Sequence, residues 1–210
     1  MAEDERYPIN FLTKEWIKDR LAIEEAVAQI SRIILSPGGA DFTKILSILG
    51  KVTSVNRTYI IRIFNGDQIA YADEWADGIH AFSMVGRDDD LRRLYYPSLI
   101  KKLRCNETVM IPNVESLSEE FETEKRVLQS RGVCSLLVIP GFTSSGALEG
   151  CIGFENVVGP GEWLGEEVQN LRVISSMISI YWERMEIFND LIKSREKYKE
   201  LCKLSSTIHI

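Results

Sequence analysis

The sequence has few of the residues on which most enzyme chemistry depends. Its only histidines are His80 and His209. Two histidines exclude a histidine-rich metal site, and they exclude a Ser–His–Asp triad with any choice of base. The cysteines show no C-x-x-C spacing and lie mostly within apolar segments; they are Cys105, Cys134, Cys151 and Cys202. We therefore expect buried, reduced thiols and no catalytic centre in this chain.

An excess of positive charge and long apolar runs are also lacking. The 210 residues include 25 Lys and Arg against 31 Asp and Glu, which gives a formal net charge of -6. This balance argues against nucleic acid as a partner, because phosphate contacts need a positive field. No run approaches the roughly 18 apolar residues of a membrane span, and the first residues lack the apolar core of a signal peptide. We expect a cytoplasmic protein without membrane insertion.

The first part of the chain predicts two helices. Residues 1–13 are expected to be flexible, and Thr13 is placed to cap a dimerisation or packing helix over residues 14–35. Residues 36–39 break that helix, and a second helix is expected over residues 42–49. Asp41 is its predicted N-cap, and Gly50 is its predicted C-terminal glycine. The apolar stripe of the first helix comprises Trp16, Ile23, Val27, Ile30 and Ile34.

The middle of the chain predicts strands with short helices between them. Residues 57–64 and 68–76 are β-branched and aromatic, and Asn65-Gly66 between them is a strong hairpin signal. Ser116 and Glu119 have the spacing of a capping box, and Gly132 is placed to end the helix that follows. Residues 78–87 fit either a short strand or a loop. The remaining predicted elements are a helix over 91–104 capped from residues 88–90, a strand over 107–114, a helix over 119–130, and central strands over 134–142 and 150–157.

The last predicted helix is the longest. Nothing breaks the pattern from residue 164 to residue 204, a rod of about 60 Å at 1.5 Å per residue. A compact domain of ~150 residues has a radius of gyration of only about 15 Å, so the helix must extend beyond the domain. Its exposed apolar stripe then needs a partner. A second copy of the chain is the simplest partner. The seam has heptad spacing and consists of Leu171, Ile174, Ile178, Tyr181, Met185, Phe188 and Ile192.

Several of these segments together resemble the GAF family of sensory domains. The resemblance lies in the opening helix AIEEAVAQISRIIL, the strand RTYIIRIF, the segment ETVMIPNV, and above all SLLVIP followed by a small turn and LEGCIGFEN. It implies an α+β fold in which a central antiparallel sheet has five to six strands. Terminal helices would pack on one face and form the dimer, and short helices and loops would enclose a pocket on the other. The GAF core would span residues 36–163.

The resemblance also implies a role. The chain is expected to be a non-catalytic regulatory module that binds a small ligand and relays the signal through the helix at 164–204. Residues 194–201 look like the approach to a PAS domain, so residues 205–210 would begin a linker to an output domain. Such an arrangement is typical of sensor histidine kinases in two-component systems. A ligand-free dimerisation scaffold is the alternative from another class.

The expected pocket lies between the sheet and the covering helices. Apolar and aromatic walls are expected from one set of residues and a few polar contacts from another. The walls would come from Trp75, Phe82, Tyr95, Tyr96, Leu99, Phe121 and Phe154. The polar contacts would come from Glu74, Ser135 and Asn156.

Specific ligands of GAF domains are less well supported by the sequence. The Asn-Lys-Phe-Asp-Glu signature of cyclic-nucleotide binders is absent, and no cysteine precedes a histidine as in bilin carriers. No cofactor is expected, with haem on His80 as the alternative to an ordinary loop histidine. Cys105, beside Arg104, is either a redox-sensing thiol or a structural one. A methionine sulfoxide reductase is disfavoured because its cysteine spacing is missing.

Overall fold

The computed structural model describes residues 9–64, 68–80 and 97–207, and the side chains of 20–63, 73–80 and 98–201. The predicted Asn65-Gly66 turn, the acidic triplet at 88–90 and most of the stretch at 78–87 lie outside the described residues. Five α-helices are described: α1 (Ile9–Ile34), α2 (Phe42–Val52), α3 (Pro97–Arg104), α4 (Glu122–Ser130) and α5 (Gly165–Thr207). Five strands are described: β1 (Arg57–Phe64), β2 (Gln68–Ala76), β3 (Val109–Ile111), β4 (Ser135–Phe142) and β5 (Leu148–Asn156).

The five strands form one antiparallel sheet in the order β2-β1-β5-β4-β3. Tyr59 of β1 and Val138 of β4 both face Gly153 of β5 in register, so β5 is the central strand. The apolar runs of β4 and β5 are buried on both faces, as expected for strands between two helical layers. The predicted α+β architecture with an antiparallel sheet is therefore confirmed.

Helices α1, α2 and α5 cover one face of the sheet, which we call the terminal-helix face. Its core is formed by alternate strand residues such as Ile60, Leu137 and Ile152, packed against Leu46 and Ile174 of the helices. The opposite face carries α3 and α4, and we call it the α3–α4 face. Leu103, Val109, Leu128 and Val138 form the core there.

Helices α1 and α5 lie side by side and run in the same direction. Arg20 Nη1 lies 3.3 Å from Glu166 Oε1, and further along Ser31 Oγ donates to Met177 Sδ at 3.8 Å. After the end of α1, the backbone N–H of Ala40 donates to the Tyr181 hydroxyl at 3.0 Å. The two helices therefore overlap over residues 20–34 and 166–181, with α1 extending beyond one end of the overlap and α5 beyond the other.

The helix ends differ in part from the expectations. Asp41 caps α2 as predicted, with Oδ1 accepting from the Lys44 N–H at 2.9 Å. Gly132 follows α4 with φ 69, also as predicted. The Thr13 cap is wrong because α1 already begins at Ile9, within the segment expected to be flexible. Gly50 lies inside α2 rather than at its end, and the Trp75 ring occupies the space that a side chain at this position would need.

The segment between β3 and α4 also differs. The expected strand over 107–114 is reduced to Val109–Ile111, since Val114 begins a 3-10 helix. The capping box does not form: Ser116 Oγ donates to the Asn113 carbonyl, and Ser118 precedes a 3-10 turn over Glu119–Phe121. Gly146, in the turn between β4 and β5, has a positive φ of 83, and a Cβ on Gly150 would collide with the Ile61 carbonyl.

The long helix is unbroken over 43 residues, about 64 Å, and so extends beyond the sheet as predicted. The predicted dimer seam is nevertheless divided. Its first members, Leu171, Ile174 and Ile178, are buried in the chain's own core, as are Ile30 and Ile34 of α1, and Ile23 of α1 is also buried. Val27 and Tyr181 are partly buried in the same core. Of the predicted seam, Met185, Phe188 and Ile192 remain exposed.

This division has a simple cause. The part of a helix that packs on a sheet carries an apolar stripe, and so does the part that packs on a partner helix. The spacing of apolar residues in the sequence is nearly the same in both cases, so it does not distinguish them. None of the described helices combines the length and apolarity needed to cross a bilayer.

Candidate functional site

Strand alternation places a group of charged and polar residues on the α3–α4 face. Because successive side chains point to opposite faces, Arg57 and Tyr59 of β1, Glu74 of β2 and Glu155 of β5 all lie on this side. Tyr59 is paired with Glu74 on one neighbouring strand and with Gly153 on the other. The phenol ring of Tyr59 lies over Gly153, where any Cβ would collide with it. The glycine thus makes room for an aromatic ring on this face.

The centre of the group is a buried ion cluster formed by Arg57, Arg131 and Glu155. Arg131 Nη2 donates to Glu155 Oε1 at 2.7 Å, and Arg57 Nη1 lies 3.7 Å from Glu155 Oε2. The Glu155 side chain is fully buried, and the Arg131 side chain is 6% exposed. Arg57 Nη1 also donates to the Arg131 carbonyl at 3.0 Å, which joins β1 to the end of α4. Removing one member of such a cluster leaves an uncompensated buried charge, which is strongly destabilising.

Electrostatics and hydrogen bonding single out Glu155. Burial raises the pKa of Glu155, and the positive charges of Arg131 and Arg57 act against that rise. Among the described residues, Glu155 Oε2 accepts no hydrogen bond. The Arg57 guanidinium lies at ion-pair distance from this oxygen and, with Arg131, offsets the cost of burying the carboxylate.

A second polar group lies at the rim of the cluster. Asp77 accepts from Asn56 Nδ2 at 2.9 Å, and its Oδ2 lies 2.8 Å from His80 Nδ1. These hydrogen bonds hold the pKa of Asp77 well below its usual value, with Asn56 as the larger cause and His80 as the next. The carbonyl of His80 accepts from Arg57 Nε at 2.7 Å. The rim therefore holds Arg57 through its Nε, while its Nη1 lies near Glu155.

The layer above this face is tied together by a buried carboxylate on α4. Glu124 is 2% exposed, and its Oε1 accepts from the backbone N–H of Ser98 in the first turn of α3 at 3.1 Å. An acidic side chain is favourable at a helix N-terminus. Helices α3 and α4 are thus coupled to each other as they cover the sheet.

Comparison with solved structures identifies this architecture. The phycoerythrobilin-bound GAF domain from a cyanobacterial phytochrome matches with a TM-score of 0.62 at 15% identity, over 81% of this chain and 99% of that one. The photoproduct state of GAF3 from Slr1393 of Synechocystis sp. PCC6803 matches at 0.54 and 16%, over 70% and 93%. A domain assigned to a two-component sensor histidine kinase of Sinorhizobium meliloti 1021 matches at 0.51 and 16%, over 71% and 93%. This chain has the GAF fold. No protein-family model and no curated protein matches the sequence.

Within the GAF fold, three of the predicted pocket residues belong to the α3–α4 side. Glu74 lies on β2 opposite Tyr59, and Leu99 of α3 is 5% exposed in the core beneath that helix. Phe121 lies before α4, with Lys102 Nζ 5.2 Å from its ring centroid. Phe82, Tyr95 and Tyr96 lie outside the described residues, so their placement stays a prediction.

Four predicted pocket residues lie on the wrong face of the GAF sheet. Trp75 and Phe154 pack in the core of the terminal-helix face, where Phe154 contacts the Trp163 ring edge-on. Ser135 and Asn156 lie on the same face and bind each other, with Asn156 Nδ2 donating to Ser135 Oγ at 3.1 Å. For Ser135, Phe154 and Asn156 the prediction failed because β4 and β5 are apolar on both sides, so composition did not reveal which residues face which layer.

Sequence reasoning missed the ion cluster itself. One signal was available: Glu155 directly follows the apolar run Cys151–Phe154 in β5. A charge in such a strand is rare unless it is paired. Its partners could not be inferred, because Arg57 and Arg131 are far from it in sequence.

The remaining chemical candidates have ordinary contacts. His80 Nδ1 lies at hydrogen-bond distance from Asp77, and the described neighbours of His80 are polar, which does not fit the apolar slot that a porphyrin needs. Among the described residues, no group of three side chains is arranged to hold a metal ion. Cys151 is buried, Cys134 is half-buried and Cys105 is exposed. Cys105 therefore differs from the buried thiols expected from the sequence.

Proposed function

We propose that this chain is a non-catalytic sensory module of the GAF type, which binds a small ligand on the α3–α4 face and signals through a dimer of α5. The output domain would follow the chain, as in a sensor histidine kinase. The observation that carries the proposal is the course of α5. The helix begins as part of the core, with Ile174 and Ile178 buried, and then continues about 37 Å beyond Trp182.

The projecting part of α5 needs a partner, and a second copy of the chain suits it. Beyond Trp182 the helix exposes large apolar side chains: Ile187 at 64%, Phe188 at 55%, Leu191 at 66% and Ile192 at 40%. The exposed apolar positions 173, 180, 187, 191, 198 and 201 have heptad spacing and carry Val, Ile, Ile, Leu, Tyr and Leu, and the pattern is interrupted by Arg184 and Ser194. Apolar residues at heptad spacing are typical of helices that pair with one another. We therefore assign the dimer contact to these exposed residues. They lie on a different side of α5 from the residues buried in the chain's own core, Leu171, Ile174 and Ile178.

The ligand site is assigned to the α3–α4 face because of its chemistry. Glu155 Oε2 offers a buried acceptor, and Arg57 provides a neighbouring guanidinium that is 13% exposed. Tyr59 supplies an aromatic ring beside them, 7% exposed. A small polar ligand with a hydrogen-bond donor would satisfy the acceptor, and Leu99 of α3 lies in the layer above. A movement of α3 on binding would be the input to the sheet.

The dimer is tested by two substitutions on the exposed pattern. Ile187→Asp with Leu191→Asp should give a monomer by light scattering, because buried carboxylates in a helix interface are strongly unfavourable. Asn189→Asp with Lys193→Asp has the same spacing on the opposite side of α5 and is the matched control. An unchanged dimer in the first variant, or no dimer in the parent chain, would reject the relay.

The ligand is tested by thermal unfolding against a panel of small metabolites. A ligand present at 100 times its Kd adds about 2.7 kcal/mol to the free energy of unfolding. Glu155→Gln keeps the shape of the side chain and should remove that gain. If no compound stabilises the parent chain, the ligand-free dimerisation scaffold becomes the better description.

A further inference from the structure

A cleft at the edge of the sheet lies outside the α3–α4 face. β3 pairs with β4 only as far as Val138, so the edge of β4 beyond it has no neighbouring strand among the described residues. The space there has a volume of about 440 Å³ and is bounded by the end of α3, this edge and α5. That volume is in the range of small-molecule sites. The residues that matter here are Arg104, Cys105, Asn106, Pro140, Phe142 and Arg172.

The charge of Arg172 is held in this cleft by neutral groups. Its Nε donates to Thr108 Oγ1 at 3.0 Å, its Nη1 to Asn106 Oδ1 at 3.2 Å, and its Nη2 to the Asn106 carbonyl at 2.7 Å. Within the described part of the chain, no carboxylate forms an ion pair with this guanidinium, which is only partly exposed. A partly buried cation without a counter-charge attracts anions.

The rest of the lining defines what kind of anion would fit. Arg104, in the last turn of α3, also lines the cleft and adds a second positively charged residue to it. Pro140 is buried and Phe142 is half-buried, so the β4 side of the cleft is apolar. An inorganic ion would leave that apolar wall without contacts. A ligand with a charged end and a hydrophobic body uses both sides.

We propose that this cleft binds a small organic anion, with its carboxylate or phosphate on Arg172 and Arg104 and its apolar part against Phe142 and Pro140. This binding is independent of the ligand proposed for the α3–α4 face. It also has a consequence that rests on the proposed function. Arg172 belongs to α5 and clamps the loop after α3, so an anion that competes with Asn106 and Thr108 would loosen the link between α3 and the signalling helix.

The thiol of Cys105 provides the test, because it is exposed and lines the cleft. Its alkylation by iodoacetamide is followed by peptide mass spectrometry in the presence of benzoate, phenyl phosphate, inorganic phosphate or neutral benzamide. At ten times Kd, benzoate or phenyl phosphate should slow the reaction about tenfold, since labelling follows the free fraction. Benzamide and inorganic phosphate should protect far less, and Cys134 should react at an unchanged rate.

Two variants show whether the arginines are responsible. Arg172→Gln should abolish the protection by benzoate, and Arg104→Gln, at the exposed end of α3, should weaken it even if the first variant folds poorly. Arg126→Gln, on the exposed side of α4, should keep it. The proposal is overturned if neither anion protects Cys105, if benzamide or inorganic phosphate protects equally, or if protection survives in both cleft variants.

Discussion

The ring of Trp75 fills the space that a side chain at Gly50 would occupy. Atoms Cε3 and Cζ3 of the indole lie within clashing distance of a Cβ built on this glycine, which is buried in the interior of α2. The contact fixes how closely α2 can approach β2. Gly50 therefore serves the packing between helix and sheet, not the termination of the helix.

Gly50→Ala should destabilise the protein although alanine is the better helix former. The helix gains about 1 kcal/mol of propensity, but overpacking against Trp75 costs about 1–3 kcal/mol and requires the ring to move. Gly165→Ala is the control, because nothing lies within 4 Å of a Cβ at that position. Urea unfolding measures both. A Gly50→Ala protein more stable than the parent would show that Trp75 is not held as described.

Arg131→Met should be among the most damaging single substitutions in the chain. It leaves the carboxylate of Glu155 buried with only Arg57 nearby, and breaking a buried pair in this way costs about 3–5 kcal/mol. Arg126→Met removes an exposed pair with Glu122 on the same helix, which should cost less than ~1 kcal/mol. Equal losses of unfolding free energy in the two variants would contradict the burial of the ion cluster.

The rim predicts a pH dependence of stability through Asp77. Because the pKa of Asp77 in the folded state lies below the ordinary aspartate value of 3.8, its contribution to stability is present above about pH 4 and is lost as the pH falls towards the lower folded value. Asp77→Ala should therefore destabilise at pH 7, and the difference from the parent should shrink between about pH 5 and pH 2. Asp190→Ala, on the exposed part of α5, is the control in thermal unfolding. A difference that grows on acidification would reverse the sign and refute the assignment.

The cysteines should react in a fixed order. Burial raises the pKa of the Cys151 thiol to about 12, whereas Cys105 is exposed. Since the thiolate is the reacting form, native protein should be alkylated at Cys105 and should protect Cys151 until it unfolds. Peptide mass spectrometry before and after addition of urea measures this order. Comparable native rates at the two positions would mean that β5 is not buried on the α3–α4 face.

The fold was predictable because its signals are local. Asp41 as a helix cap, Gly132 and Gly146 as positive-φ positions, and the paired strands at 57–64 and 68–76 follow from short-range chemistry. The length of α5 was predictable for the same reason. The family resemblance added the layer order, which local signals do not specify.

The site was less predictable because it depends on which way side chains point. Phe154 and Glu155 are neighbours in sequence, yet one packs under α5 and the other forms the ion cluster on the far face. In a strand that is apolar on both sides, polar and apolar residues do not alternate, so the sequence does not show which face each side chain is on. Arg57 and Arg131 join Glu155 only after three separate segments have folded together. Similarly, Ile178 and Ile187 look alike in sequence, but only the structure shows that one is buried and the other exposed.

The shared direction of α1 and α5 determines how the module can be joined to others. From Ile9 to Thr207 the described ends are separated by a span on the order of 80 Å along this axis. A circular permutant would need a linker of roughly 24 fully extended residues just to reach from one end to the other. Domains fused at the two ends would be held at opposite poles of the module, and its insertion within a short loop of another protein would be strained.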